Sequence, residues 1–422
     1  MYGEKEINKV LAKIDTQTLL ELALALGNTP SPKGYEAEVG DFLHDWLTKA
    51  GFSPFKQEVA PGRNNVVAIL PGSGGGRSLI FNSHLDTSMW RPEDRWIIGP
   101  EEYHYNHAWV EAGRIHGSGV VNDKGPLAAF VIAAKAIKES GIRLKGNLII
   151  SGVVGEVAWA PIDEFYDSRL LGQGNGARHL IEHGVWADCA LVAETTSFGL
   201  TWAECSTAFI KVTMRGRRVY TPYYTYTDDL TQHRNPILKM SKIVQALEEF
   251  GRQFSQNNQY KFEAGTIVPK IAVGAIRAGN PCSPAGGPTI CSIYISAMIP
   301  PLMEPEQLLA ELKAFLDKQG MELDIQMYMF MRGYVGKNIE PLKQAIEKAH
   351  NSIFDNKPKP VSSPVTSMWR DINIFNGAGI PAITYGPGTG VGSSEERIPH
   401  FTIEDLVNAA KVYALTGLFV CG

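Results

Sequence analysis

Several short apolar runs in this chain end in a histidine or a carboxylate, and this feature restricts the folds open to it. The residues that end these runs are His84 with Asp86, Glu156 and Glu194. Parallel strands bring their carboxyl ends to one edge of a sheet, so these side chains are expected to converge. A histidine with carboxylates is a donor set for a divalent metal that activates water. Each residue alone is compatible with ordinary packing or solvation, but together they favour a shared site and a hydrolase.

Length and charge exclude several classes of protein. With 422 residues the chain is long enough for more than one domain, and its net charge of −4, without basic blocks, argues against nucleic acid as a partner. The sequence has no recognisable secretion signal or membrane-spanning segment. Its 5 scattered cysteines lack CxxC spacing, which indicates reduced thiols, so a cytoplasmic location is expected.

The alternation of helical and strand-like segments predicts an α/β fold. The first 55 residues have helical apolar spacing, and strand-like runs then alternate with helices up to residue 207. Residues 208–332 combine strands with two helices and are predicted to form an inserted α+β domain. Residues 1–207 and 333–422 are predicted to form one discontinuous catalytic domain with a mostly parallel sheet.

A glycine-rich turn between residues 117 and 125 contains Asn122 and Asp123. An aspartate at such a turn caps a helix about as often as it binds a metal, and its combination with His84 favours the metal here. Asp86 follows His84 by two positions, points the same way along a strand and can orient the imidazole, which gives it a supporting catalytic role. Spacing alone leaves open whether Asn122 or Asp123 faces the metal.

The order and spacing of several motifs resemble the metallohydrolase family that includes aminoacylase, acetylornithine deacetylase, succinyl-diaminopimelate desuccinylase and glutamate carboxypeptidase. The motifs are SHLDT, a GxG turn followed by KG, the GE strand end, GARHLIEHG with LVAET, RGRRVYTP with NPILKM, and GAGIPAITYGPG. Together they extend over nearly the whole chain. The resemblance implies a metallopeptidase-like α/β domain interrupted by a lid or dimerisation domain, and a homodimer formed through that insertion.

Departures from the family pattern imply one metal ion where members of the family hold two. The family's pair of acids is here Glu156 followed by Val157, its bridging aspartate falls on Asn122, and no histidine follows the GPG turn at the expected place. A neutral amide cannot hold two cations close together against their repulsion. One divalent ion per chain, Mn, Zn or Co, is therefore expected, without an organic cofactor.

The resemblance also implies roles for individual residues. The expected metal ligands are His84, Asp123 and Glu194, and Glu156 is the expected base that takes a proton from water. His400 is offset from the family's second-metal histidine. In the alternative with two metal ions, His400 restores the second metal site.

Aromatic residues indicate an aromatic substrate. Tyr220 replaces the lid histidine of the family and starts a tyrosine-rich segment, and Trp90 follows the HxD strand. The tyrosines are equally compatible with packing at a dimer interface. Arg370 is a candidate for binding a substrate carboxylate, although a structural ion pair explains it as well, and Asn122 is a further candidate for substrate binding.

Three functions are compatible with these observations. The leading one is hydrolysis of a C–N bond in a small, carboxylate-bearing aromatic compound, specifically deamination of a nitroaromatic amine such as 5-nitroanthranilate with release of ammonia. The first alternative is a conventional dinuclear N-acyl-amino-acid amidohydrolase or dipeptidase, which metal content would distinguish. The second is a non-catalytic binding protein descended from the family. The retention of Glu156 beside His84 and Glu194 argues against that second alternative.

Overall fold

The protein divides into two compact units. The computed structural model describes residues 2–88, 107–158, 160–167, 172–388 and 398–422. The larger unit consists of Met1–Trp202, Val335–Val365 and Arg370–Gly422, and the smaller of Ala203–Tyr334 with Thr366–Trp369. The domain borders at residues 208 and 332 remain predictions.

Two sheets occur in the described part of the larger unit. Its strands are β1 (Phe55–Ala60), β2 (Arg63–Leu70), β3 (Leu79–His84), β4 (Trp109–Glu111), β5 (Arg114–His116), β6 (Leu148–Val153), β7 (Cys189–Ala193), β14 (Ala382–Tyr385) and β15 (His400–Thr402). Among the described residues, a six-stranded sheet has the order β1-β2-β6-β3-β7-β14, and a three-stranded sheet the order β15-β5-β4. The large sheet is therefore the one that carries the run ends identified in the sequence.

The large sheet is parallel over its centre and antiparallel at one edge. Strand β3 pairs in parallel with β6 and with β7, and β14 pairs in parallel with β7. Strands β1 and β2 are antiparallel because only Pro61 and Gly62 join them, and a turn of two residues cannot connect parallel strands. Gly62 supplies the positive φ of 75° that this turn uses. The predicted α/β fold with a mostly parallel sheet is confirmed.

Helices cover the large sheet. Those described in the larger unit are α1 (Glu4–Leu11), α2 (Thr16–Asn28), α3 (Ala37–Lys49), α4 (Gly125–Ser140), α5 (Asn175–Glu182), α8 (Glu340–Phe354), α9 (Ser363–Thr366, which ends in the smaller unit), α10 (Ile372–Gly377) and α11 (Ile403–Cys421). Helix α4 is apolar on nearly all sides and packs against α2 and α11. Pro126 lies in its first turn, and Gly141, at a φ of 69°, caps its end. Its start follows directly on the turn that contains Asn122 and Asp123.

The smaller unit is an α+β layer. Its described strands are β8 (Ser206–Arg215), β9 (Tyr260–Phe262), β10 (Gly265–Ile267), β11 (Lys270–Ala278), β12 (Ile290–Ile299) and β13 (Asp324–Met331), and its long helices are α6 (Pro236–Asn257) and α7 (Pro305–Asp317). The strand order in its four-stranded antiparallel sheet is β11-β12-β8-β13. Alternate apolar residues of β8 and β12 point into one core with α6 and α7. This unit corresponds to the predicted α+β insertion.

None of the helices in the described ranges is long and apolar enough to cross a membrane.

Candidate metal centre

Three neighbouring strand ends bring His84, Glu156 and Glu194 together. His84 ends β3, Glu156 follows β6, and Glu194 follows β7, so the central position of β3 places its histidine between the two acids. His84 Nε2 lies 3.7 Å from Glu156 Oε2 and 3.7 Å from Glu194 Oε1. One potential ligand atom from each residue lies within 4.8 Å of the others, and all three residues are buried. In the part of the chain that the structure describes, this is the group suited to a metal ion.

Asp86 contacts both the imidazole of His84 and the main chain of Glu156 and Val157. The His84 ring is oriented by a 2.7 Å contact from Nδ1 to the main-chain oxygen of Asp86, whose carboxylate Oδ1 is 3.7 Å away. That carboxylate accepts hydrogen bonds from the N–H groups of Glu156, at 3.0 Å, and Val157, at 2.8 Å. The sequence predicted that the Asp86 carboxylate orients the His84 ring. In the structure the main-chain carbonyl of Asp86 does so. The carboxylate itself fixes the chain at the entrance of the Glu156 loop.

The side chain of Asn122 contacts His84, and that of Asp123 is bonded to Ser83. Asn122 Oδ1 is 3.2 Å from His84 Nε2. Asp123 is fully buried, its Oδ2 accepts a 2.5 Å hydrogen bond from Ser83, and its Oδ1 has no hydrogen-bond partner among the described residues. Asp123 is not one of the three residues His84, Glu156 and Glu194 whose ligand atoms converge, but its charge acts on His84 and that of Glu194 acts on it, so its role as a metal ligand stays a prediction.

Arg370 contacts the acidic group directly. Its Nε is 3.2 Å from Glu194 Oε2, and its Nη1 donates a 3.0 Å hydrogen bond to the main-chain oxygen of Val365. The side chain is almost fully buried. Arg370 thus forms the ion pair that the sequence left as an alternative to binding a substrate carboxylate.

A second row of polar residues lies next to the site, and its members Asn82 and Ser151 were not identified from the sequence. Asp371 accepts a 3.0 Å hydrogen bond from Asn82 Nδ2, and Ser151 donates a 2.9 Å hydrogen bond to Asn82 Oδ1. All three are buried. The available signal was the polar pair Asn82 and Ser83 inside an otherwise apolar strand that ends in His84.

Burial and mutual repulsion govern the protonation of these groups. Burial raises the pKa of Glu156 well above its usual value, and the charges of Glu194, Asp371 and Asp86 add to the effect. Burial, together with the charge of Glu194, likewise raises the pKa of Asp123. For His84, burial lowers the pKa, but the surrounding carboxylates, Asp86 foremost, raise it to about 9.

The residues present therefore fit a divalent cation. The group offers one imidazole and two carboxylates, which are donor types that Zn, Mn and Co accept. Buried carboxylates also outnumber the nearby cationic groups, and an unbalanced buried charge is costly unless a cation compensates it.

Three further candidates from the sequence are His400, Tyr220 and Trp90. His400, on β15, has its Nε2 3.2 Å from Arg114 Nη1 and its ring 5.2 Å from that of His116, and it is not part of the described metal group. Tyr220 belongs to the smaller unit, where its largely exposed ring is 6.4 Å from that of Tyr223. Trp90 lies outside the described residues.

Comparison with known proteins identifies the family. A sequence profile described as Peptidase family M20/M25/M40 matches residues 80–417. The chain belongs to this family. The resemblance inferred from the sequence motifs is thereby confirmed. The protein is a metal-dependent hydrolase that acts on amide C–N bonds, as M20 family enzymes do.

Two curated M20 family relatives match nearly the full chain. One, from Bacillus subtilis (strain 168), is named N-formyl-4-amino-5-aminomethyl-2-methylpyrimidine deformylase and is 26% identical over 97% of this chain and 96% of its own. The other, succinyl-diaminopimelate desuccinylase from Methylocella silvestris, is 24% identical over 94% of this chain and 96% of its own. Both names describe amide hydrolysis. They do not support deamination of a nitroaromatic amine.

The fold is also that of solved M20 structures. The di-peptidase Dug1p from Saccharomyces cerevisiae superposes with a TM-score of 0.72 over 98% of each chain, at 13% identity. At that identity the likeness concerns the fold alone.

Proposed function

We propose that this M20 family member removes a short acyl group, such as formyl or succinyl, from the nitrogen of a small amine. The names of the two full-length relatives support a deacylase of this kind. The observation that carries the proposal is the buried group of His84, Glu156 and Glu194 at adjacent strand ends, with Arg370 against Glu194.

We assign one divalent ion, Mn, Zn or Co, to each chain. His84 and Glu194 would hold it, and Asn122 would offer a neutral oxygen beside them. Such an ion lowers the pKa of water and polarises a carbonyl group. The neutral Asn122 amide supports one ion rather than two, because it cannot offset the repulsion of two neighbouring cations.

Glu156 is the proposed base and acid of the reaction. It accepts a proton from the water that adds to the amide carbonyl carbon, and it transfers that proton to the nitrogen as the C–N bond breaks. The products are a carboxylic acid and an amine. The hydrogen bond from the Glu156 N–H to Asp86 supports this role, because it sets the position of the loop that carries the carboxylate. Arg370 keeps Glu194 in place beside His84 and partly neutralises it.

Three further features belong to the proposal. A cytoplasmic location is consistent with the cysteines, none of which forms a disulfide bond. A homodimer through the smaller unit follows from the family resemblance. Tyr220 and Trp90 stay predictions as substrate contacts.

A parallel screen for acyl release and deamination tests the proposed function. Purified protein saturated with Mn, Zn or Co would be incubated with N-formylbenzylamine, N-succinyl-L-amino acids and 5-nitroanthranilate. Formate or succinate release that Glu156→Gln abolishes is the expected result. Ammonia release from 5-nitroanthranilate without cleavage of any N-acyl amine would overturn the deacylase assignment.

Metal analysis of the same preparations tests the one-ion assignment. We expect about one equivalent of bound metal per chain after removal of excess ion, measured by mass spectrometry of the elements. Two tightly bound equivalents would contradict the assignment and favour a conventional dinuclear amidohydrolase or dipeptidase.

A further inference from the structure

The smaller unit contains a cavity of its own. Its volume is about 640 Å³, within the range of small-molecule sites. It is formed by residues from two stretches of the same unit, 217–235 and 284–287. The lining residues that matter here are Arg217, Tyr224, Tyr226, His233, Arg234 and Asn235.

Backbone contacts place the two arginines on the same cavity. The N–H of Arg217 donates a 2.9 Å hydrogen bond to the main-chain oxygen of Arg234, which joins the end of β8 to the start of α6. Gly216 permits this approach, because a Cβ there would lie 2.5 Å from the Arg234 oxygen. The opposite wall is held by hydrogen bonds of 3.0 Å from Thr221 N–H to Ala285 O and from Gly287 N–H to Val219 O.

The cavity carries positive charge and a free donor. Arg217 and Arg234 are exposed, and neither forms an ion pair with a described carboxylate. His233 is 94% buried, with 6% relative exposure, and its Nδ1 accepts the Asn235 N–H at 2.9 Å. Because Nδ1 is an acceptor, the ring proton is on Nε2. That N–H has no partner among the described residues, so it is available to a ligand.

Aromatic rings form part of the wall. The Tyr224 ring lies 5.3 Å from the His233 ring and 5.2 Å from the Tyr226 ring, at a steep angle to the latter. Such rings favour a planar partner and also attract guanidinium groups. The cavity therefore combines planar cations with flat apolar surfaces.

We propose that this cavity binds a small aromatic carboxylate. Arginine forks bind carboxylates through paired hydrogen bonds, and the His233 Nε2–H is positioned to add a third donor. The tyrosine rings would pack against the ring of the ligand, which distinguishes this ligand class from inorganic phosphate. The residues that carry this proposal all belong to the smaller unit, and their binding of a ligand can be tested without the proposed hydrolysis.

Binding can be measured without turnover. Isothermal titration of the full chain with benzoate is expected to give saturable binding at one site. Cyclohexanecarboxylate, which lacks the flat ring, and benzamide, which lacks the charge, are each expected to bind at least about fivefold more weakly. Inorganic phosphate should bind more weakly than benzoate.

Variants separate the cavity from general charge effects. The double variant Arg217→Ala with Arg234→Ala should weaken benzoate binding at least about tenfold, while Arg215→Ala, an exposed arginine outside the cavity lining, should leave it unchanged. Tyr224→Leu should weaken binding more than Tyr224→Phe. Circular dichroism would verify that each variant is folded.

Three outcomes would overturn the proposal. They are no saturable benzoate binding at millimolar concentration, binding unaffected by the double variant, and tighter binding of phosphate than of benzoate. If the unmodified protein binds benzoate but cleaves no N-acyl amine, only the proposed function is contradicted.

Discussion

The metal centre and the cavity of the smaller unit hold their charges in opposite ways. At the metal centre, His84 is only 2% exposed. Asp86 accepts from the Glu156 N–H, Ser83 donates to Asp123, and Arg370 pairs with Glu194. In the cavity, Arg217 and Arg234 are exposed and without a described acidic partner. Buried charges need compensation at fixed positions, whereas exposed charges are stabilised by water. Substitutions should therefore have large effects at the first region and small effects on stability at the second.

Glu156→Gln is expected to have the largest effect, because it removes the proposed base at the metal centre. The amide keeps the size of the side chain but cannot take a proton, so kcat should fall by about 10²–10⁴-fold. Steady-state kinetics with an N-acyl amine measures this, and metal analysis should show unchanged metal content. Glu182→Gln, on the exposed face of α5, is the matched control. A kcat within twofold of the wild type would exclude Glu156 as the base.

Asp86→Asn should affect both stability and rate. One carboxylate oxygen becomes an NH₂ group that cannot accept from the Glu156 or Val157 N–H. A buried donor left unsatisfied costs about 1–3 kcal/mol in the free energy of unfolding. The displaced loop should also lower kcat by about 10- to 100-fold.

Urea denaturation and steady-state kinetics measure these two effects of Asp86→Asn. Asp45→Asn, an exposed change on α3, serves as the control. An unchanged denaturation midpoint would contradict the assigned role of the Asp86 carboxylate.

Asn122→Ala should lower the affinity for a divalent ion by about tenfold. The amide oxygen 3.2 Å from His84 Nε2 is lost, whereas Asp123 stays bonded to Ser83. Competition with a metal chelator measures the affinity, and Asn351→Ala, exposed on α8, is the control. If the affinity is unchanged, Asn122 does not contribute to the metal centre.

Tyr226→Ser should have the smallest effect. The side chain is 93% exposed, so the free energy of unfolding should change by less than about 0.5 kcal/mol. Thermal denaturation in the absence of ligand measures it. A fall of more than about 1 kcal/mol in the free energy of unfolding would show that the Tyr226 side chain is packed. That result would contradict the contrast between a buried metal centre and an exposed cavity.

Sequence patterns predicted the positions of the principal polar groups and the fold class. The apolar runs before His84, Glu156 and Glu194 are strands of one sheet, and the residues that follow them converge as expected. The insertion was recognisable because residues 208–332 combine strands with two helices, whereas strand-like runs alternate with helices before them. The antiparallel edge formed by β1 and β2 was not anticipated, because local propensity does not specify strand direction.

Which of Asn122 and Asp123 contacts the His84 ring could be seen only in the tertiary structure. Both residues lie in the same turn, and their spacing is compatible with either facing His84. The structure directs Asn122 to the imidazole and buries Asp123 against Ser83. The same applies to Arg370, whose partner Glu194 is far away in sequence.

The amino-acid sequence by itself determined the family, the strand ends that carry the histidine and the acids, and the departures from the family pattern, because these depend on residue type and order. Only the tertiary structure decided which atoms meet: the Asp86 carboxylate with the Glu156 loop, Asn122 with His84, and two arginines with tyrosines around one cavity. Hydrogen bonds and ion pairs act over a few ångströms, and the distances between residues remote in sequence are set by packing.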